Sequence, residues 1–157
     1  MSEITRIVDQ LTRAFEREPW HGPALKTILS GITAETASHR LLKRTHTIWE
    51  IALHIQAWIK FTRLALEDQP MPTELPPEQD WPAVQSTSPD AWEEMVESLD
   101  HEYKLLLEGI ANLQEPDLSR KVPGRSYDVY FLLHGLVQHT IYHAGQISLL
   151  KSAQIKK

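Results

Sequence analysis

Four long stretches of this chain repeat apolar residues every three to four positions, and segments rich in proline or glycine separate them. No stretch alternates apolar and polar residues as a β-strand does. The pattern therefore predicts an all-α fold, a four-helix bundle, with a short additional helical piece over about 24–31. The four long helices are expected over roughly 3–17, 47–68, 89–112 and 127–152.

Local capping patterns predict where three of these helices begin. Thr47 and Glu50 form the T-x-x-E capping box, in which a hydroxyl and a carboxylate accept hydrogen bonds from free amide groups at the helix start. Ser88 is expected to cap the third helix, with Pro89 at its first position. Ser126 is the candidate cap of the last helix.

Two connections between the helices are long. The stretch 69–89 contains six of the ten prolines of the chain, so we expect neither a helix nor a central strand to pass through it. A second loop is expected over roughly 113–126. With 157 residues, of which 41% are hydrophobic, we interpret the chain as one domain, 1–157.

Composition excludes several classes of function. The formal net charge of -5 disfavours binding to nucleic acid. The first residues lack the apolar core of a signal peptide, and no apolar run is long enough for a membrane span, so we expect a cytoplasmic protein without a membrane partner. The chain has no cysteine, which excludes disulfides and thiolate metal ligands, whereas its eight histidines can supply imidazole ligands.

Two histidines lie on one face of the last predicted helix. At ~100° per residue, His139 and His143 are ~40° apart after one full turn, and small or apolar residues flank them. The pair therefore points inward and could bind one divalent ion, although an H-x-x-x-H spacing also arises by chance. Gln146 and Tyr142 flank the pair and could contact a substrate or a partner helix, and Gln146 could equally bond within the bundle.

His54 is the candidate third ligand, because it lies midway along the second predicted helix on a largely apolar face. A core histidine bonded to a backbone carbonyl or to Glu50 explains that placement equally well. Glu50 could orient the ring of His54, but the capping role needs only local geometry. The other five histidines are interpreted as ordinary, with His46 nearest to a site; Trp49, Trp58 and Trp92 are expected in the core.

Two segments resemble a known family. Residues 134–147, H-G-L-V-Q-H-T-I-Y-H-A-G-Q-I, and 46–58, H-T-I-W-E-I-A-L-H-I-Q-A-W, are similar to the DinB-like superfamily, as is an early W-x-G-P turn over 20–23. Its members include bacillithiol-transferase and mycothiol-dependent isomerase types. The resemblance implies a four-helix bundle, frequently a homodimer, with a divalent metal held by three histidines, which match His54, His139 and His143.

Three neutral ligands leave positions on a metal ion open, as in catalytic rather than structural sites. Imidazoles suit several metals, with Zn or Ni expected first and Fe or Mn next. The resemblance implies a metal-dependent thiol S-transferase that joins a low-molecular-weight thiol to an electrophilic small molecule; a hydrolase is also open. Because the chain has no cysteine, such a thiol must come from a cosubstrate. The alternative is a non-catalytic, stress-associated dimeric bundle that binds metal.

Overall fold

A computed structural model describes residues 1–67, 69, 72 and 75–154. The expected all-α architecture is confirmed: helices account for the regular structure of these residues, with a single isolated β-bridge between Lys121 and Asp128. The described α-helices are α1 (Glu3–Phe15), α2 (Leu25–Leu29), α3 (Ala34–Ser38), α4 (Ile48–Leu66), α5 (Pro77–Asp80), α6 (Pro89–Ala111) and α7 (Val129–Gln154), and a 3₁₀-helix covers Glu115–Ser119.

Two of the predicted helix starts are confirmed. The Thr47 hydroxyl accepts a hydrogen bond from the Glu50 N–H at 3.2 Å, and the Glu50 carboxylate accepts one from the Thr47 N–H at 2.7 Å. The Ser88 hydroxyl accepts a bond from the Ala91 N–H at 3.2 Å, and Pro89 occupies the first turn of α6. Each cap satisfies amide groups that a helix leaves without an internal partner.

The expected cap at Ser126 is wrong, because the last helix begins later. Asp128 fills that position, and its carboxylate accepts a bond from the Phe131 N–H at 2.9 Å. Backbone pairing across the bridge, with the Val129 N–H donating to the Arg120 carbonyl, keeps the chain extended up to Asp128. The Ser126 carbonyl instead accepts a bond from the Lys121 ammonium.

The proline-rich stretch contains one helical turn that the sequence does not predict. The single turn α5 begins with Pro77, at a position where the missing N–H of proline costs no hydrogen bond. Part of that stretch, residues 70, 71, 73 and 74, lies outside the described residues. The turn is short and has no buried residue, so apolar periodicity gives no sign of it.

The long helices pack around one apolar core. α4 contacts both α6 and α7, while α1 contacts α6 and α7. Trp49 and Trp92 are buried and meet edge to face at 5.1 Å, as expected for core residues. Phe15 and Tyr103 stack at 3.8 Å. Within the described part of the chain, no helix combines the length and apolarity that a membrane crossing requires.

Candidate metal centre

The contact between α4 and α7 brings three histidines together. His54 lies in the second turn of α4, and His139 and His143 lie one turn apart on α7. The Nε2 atoms of His54 and His139 are 3.0 Å apart, and one ligand nitrogen from each of the three rings lies within 4.8 Å of the others. Among the described residues, no other cluster of histidine and carboxylate side chains is spaced to hold a metal ion.

Hydrogen bonds select the tautomer of two of these rings. The His54 Nδ1 lies 2.6 Å from the Asp80 carbonyl, which can only accept, so Nδ1 carries the proton. The His143 Nδ1 lies 2.7 Å from the Gln146 Oε1 and donates to it in the same way. In the neutral rings, the lone pair therefore lies on Nε2. Such an outer hydrogen bond is typical of metal-ligating histidines.

Burial favours the neutral form of all three rings. Removal from water lowers the pKa of His54 and of His143 below the usual histidine value. Burial, together with the repulsion that a protonated His143 or His54 would exert, lowers the pKa of His139 to about 3. A neutral imidazole has the free lone pair that a metal needs, so this donor set fits a divalent ion without first losing protons.

The turn α5 completes the surroundings of His54. Trp81 directly follows it and stacks on the His54 ring at 3.8 Å, with the ring planes 4° apart. The other face of Trp81 stacks on His46 at 3.6 Å. The Trp58 indole N–H donates to the Asp80 carboxylate at 2.8 Å. The backbone and side chain of Asp80 therefore hold both a candidate ligand and the wall beside it.

Sequence reasoning missed Asp80 and Trp81. They lie 26 and 27 positions after His54, inside the proline-rich stretch, and no motif connects them to it. The one available signal is a tryptophan in a proline-rich connection. Trp58 packs against the core, as expected, but it is only partly buried and also lines the cavity at the histidines.

The remaining candidates are placed as follows. Glu50 closes the capping box and pairs with the Arg40 guanidinium at 2.6 Å. It does not orient His54, whose Nδ1 bonds to Asp80 instead. His46 reaches the mouth of the cavity, as expected. Tyr142 is exposed at the same mouth, with its ring centre 4.9 Å from that of His143.

The other four histidines lie outside the group. His134 has its Nε2 3.7 Å from a carboxylate oxygen of Glu3 and its ring against Tyr130. His39 follows α3, His21 lies in the turn before α2, and His101 is exposed on α6. The structure thus brings three of the eight histidines together and leaves the other five outside that group.

A cavity of about 740 Å³ opens directly beside the three histidines. Its volume is in the range of small-molecule sites, and apolar side chains dominate its walls. The lining includes Leu42, Arg44, His46, Ile51, Trp58, Asp80, Trp81, Tyr142, Leu149 and Leu150. A molecule in this cavity would lie next to the imidazole nitrogens.

Three histidines meet between two facing helices of an all-α fold. This arrangement is typical of the class of helical bundles that bind a metal ion through side chains pointing inward from facing helices. The family model of the DinB superfamily matches residues 6–147, a span that contains all three histidines. The chain therefore belongs to the DinB superfamily, and the resemblance seen in the sequence is confirmed. No curated protein and no solved structure matches the chain.

Proposed function

We propose that this chain is a metal-dependent enzyme in which His54, His139 and His143 bind one divalent ion, zinc or nickel in the first place. The observation that carries the proposal is the group of three neutral rings, two of them with hydrogen bonds that leave the Nε2 lone pair free. No carboxylate belongs to the group, so a bound ion keeps its double positive charge. The adjoining cavity gives substrates access to it.

The reaction that we propose joins a low-molecular-weight thiol to an electrophilic carbon. When bound, the ion lowers the pKa of a coordinated thiol, or of water in the hydrolytic variant. The thiol sulfur forms a bond to the carbon, the thiol proton passes to solvent, and the leaving group departs with its bonding electron pair. Since the chain has no cysteine, the sulfur belongs to a diffusible cosubstrate.

The side chains around the site have separate tasks in this proposal. The Asp80 carbonyl and the Gln146 amide fix the orientation of two ligand rings. Trp81 covers one face of His54 and excludes water from it. Arg44, exposed at the cavity mouth, offers a permanent positive charge that suits a thiol carrying a carboxylate.

Metal analysis of the purified chain tests the proposal, followed by a panel of low-molecular-weight thiols assayed with 1-chloro-2,4-dinitrobenzene. We expect about one metal ion per chain and activity with at least one thiol. His139→Ala should lose both, whereas the matched control His134→Ala, on the same helix outside the group, should keep both. Equal and negligible metal in the unchanged chain and in His139→Ala would falsify the metal site.

A second candidate function is a non-catalytic dimeric bundle with a structural metal. It is favoured by three exposed apolar side chains on one face of α7: Phe131, Tyr142 and Leu149, which are 63%, 64% and 71% exposed. A homodimer that covers this face would remove them from water. This alternative predicts a dimer in solution, a sharp loss of thermal stability on chelation and no activity with any thiol.

A further inference from the structure

A second, smaller cavity of about 230 Å³ lies behind the first. Trp58 and His139 line both cavities and form the wall between them. The other residues around the second cavity are aliphatic, aromatic or small, and none of its described lining residues carries a formal charge at neutral pH. A molecule held there would be uncharged and would lie next to the candidate metal centre.

Two polar groups in the lining of the second cavity have no hydrogen-bond partner among the described residues. One is the hydroxyl of Thr62, whose side chain is fully buried. The other is the Nδ1 of His139. Because its Nε2 faces His54 at 3.0 Å, the Nδ1 lies on the other side of the ring. Buried hydroxyl and imidazole nitrogens are normally hydrogen-bonded, so both groups point to a ligand that supplies the missing partner.

We propose that the second cavity binds an uncharged, mainly apolar molecule through one carbonyl oxygen. This oxygen accepts a hydrogen bond from the Thr62 hydroxyl and, when the His139 Nε2 binds the metal ion, a second one from the His139 Nδ1–H. A cavity of roughly 150 Å³ holds benzene, so this one has room for a benzene-sized ring with a short substituent. The inference rests on the proposed function, because a metal ion on the His139 Nε2 leaves the ring proton on Nδ1. It goes beyond that function by adding a ligand site on the far side of the His139 ring.

Acetophenone and α-methylstyrene form a suitable probe pair, because they have nearly the same shape and only acetophenone has a carbonyl oxygen. Binding is measured by saturation-transfer NMR titration on the full chain, both metal-free and zinc-loaded. We expect acetophenone to bind at least about tenfold more tightly than α-methylstyrene, since only the ketone can satisfy the buried donors. Equal dissociation constants for the two probes, or binding of neither, would overturn the proposal.

Two glycines of α7 provide a matched pair of variants. Gly135 lines the second cavity, and a Cβ placed on it would meet no atom within 4 Å. Gly145 has equally open surroundings but lines neither cavity. Gly135→Leu should fill the cavity and weaken acetophenone binding at least about tenfold, whereas Gly145→Leu should change it less than about twofold. The same effect in both variants would contradict the assignment of acetophenone to the second cavity.

Thr62→Val keeps the shape of the side chain and removes its hydroxyl. It therefore tests the hydrogen bond to the ketone even if Gly135→Leu does not fold. We expect acetophenone to bind about five- to tenfold more weakly and α-methylstyrene to be unaffected. Suppose that the unchanged chain binds the ketone but no zinc, and that Gly135→Leu loses the ketone binding. This result would contradict the proposed function but not the subsite. Zinc binding with no ketone binding would contradict the subsite alone.

Discussion

The hydrogen bond between Gln146 and His143 gives a quantitative test of the metal centre. Gln146→Leu keeps the approximate size of the side chain and removes the oxygen that accepts from the His143 Nδ1–H at 2.7 Å. Loss of such an outer partner typically weakens metal binding 10- to 100-fold, or about 1.4–2.7 kcal/mol. His143 is only 6% exposed, so water replaces the lost acceptor poorly and the larger effect is expected.

The zinc dissociation constant can be measured by competition with a chromogenic chelator. Gln138→Leu is the matched control, because Gln138 is exposed on the same helix and lines neither cavity. Gln146→Glu retains an acceptor and adds negative charge, so it should bind zinc at least as tightly as the unchanged chain. The reasoning is refuted if Gln146→Leu binds zinc as Gln138→Leu does while His143→Ala loses it.

Three further predictions concern stacking and protonation. Trp81→Ala removes the ring that covers His54 and should weaken zinc binding several-fold in the same competition assay. Because burial lowers the pKa of all three candidate ligand histidines, zinc binding at pH 6 should release fewer protons than the roughly two that three ordinary histidines would release, as calorimetry in buffers of different ionisation enthalpy will show. Burial raises the pKa of Tyr103 to about 12, above its value of 10.0 in the unfolded chain. Its contribution to stability is thus complete below pH 10 and is lost as the pH rises toward 12, by at most about 2.7 kcal/mol in denaturant titrations.

Each of these predictions has a control in the same chain. Trp20 is fully exposed, so Trp20→Ala should leave zinc affinity unchanged, and an equal effect at both tryptophans would argue against the stacking role. Release of two or more protons at pH 6 would show that the ligand histidines titrate normally. Tyr103→Phe cannot ionise, so its stability should fall less between pH 9 and pH 11 than that of the unchanged chain.

The long helices could be predicted from sequence because their signals are local. Apolar spacing and capping residues act within one or two turns, so the starts of α4 and α6 were identified at Thr47 and Ser88. The start of α7 was misplaced because a β-bridge between Lys121 and Asp128 holds the preceding residues extended. That pairing depends on the path of the whole loop, which no local pattern records.

The sequence by itself determined the all-α fold and the candidate histidines. Helical phase placed His139 and His143 on one face of the last helix and His54 on an apolar face of the second. The resemblance to the DinB superfamily implied that all three bind one metal ion. Only the tertiary structure decided what surrounds those rings. Asp80 and Trp81 reach His54 from a connection that has no apolar periodicity, and the second cavity exists because Thr62 of α4 faces Gly135 and His139 of α7. Such contacts depend on how separate elements pack, and sequence spacing within one element carries no information about them.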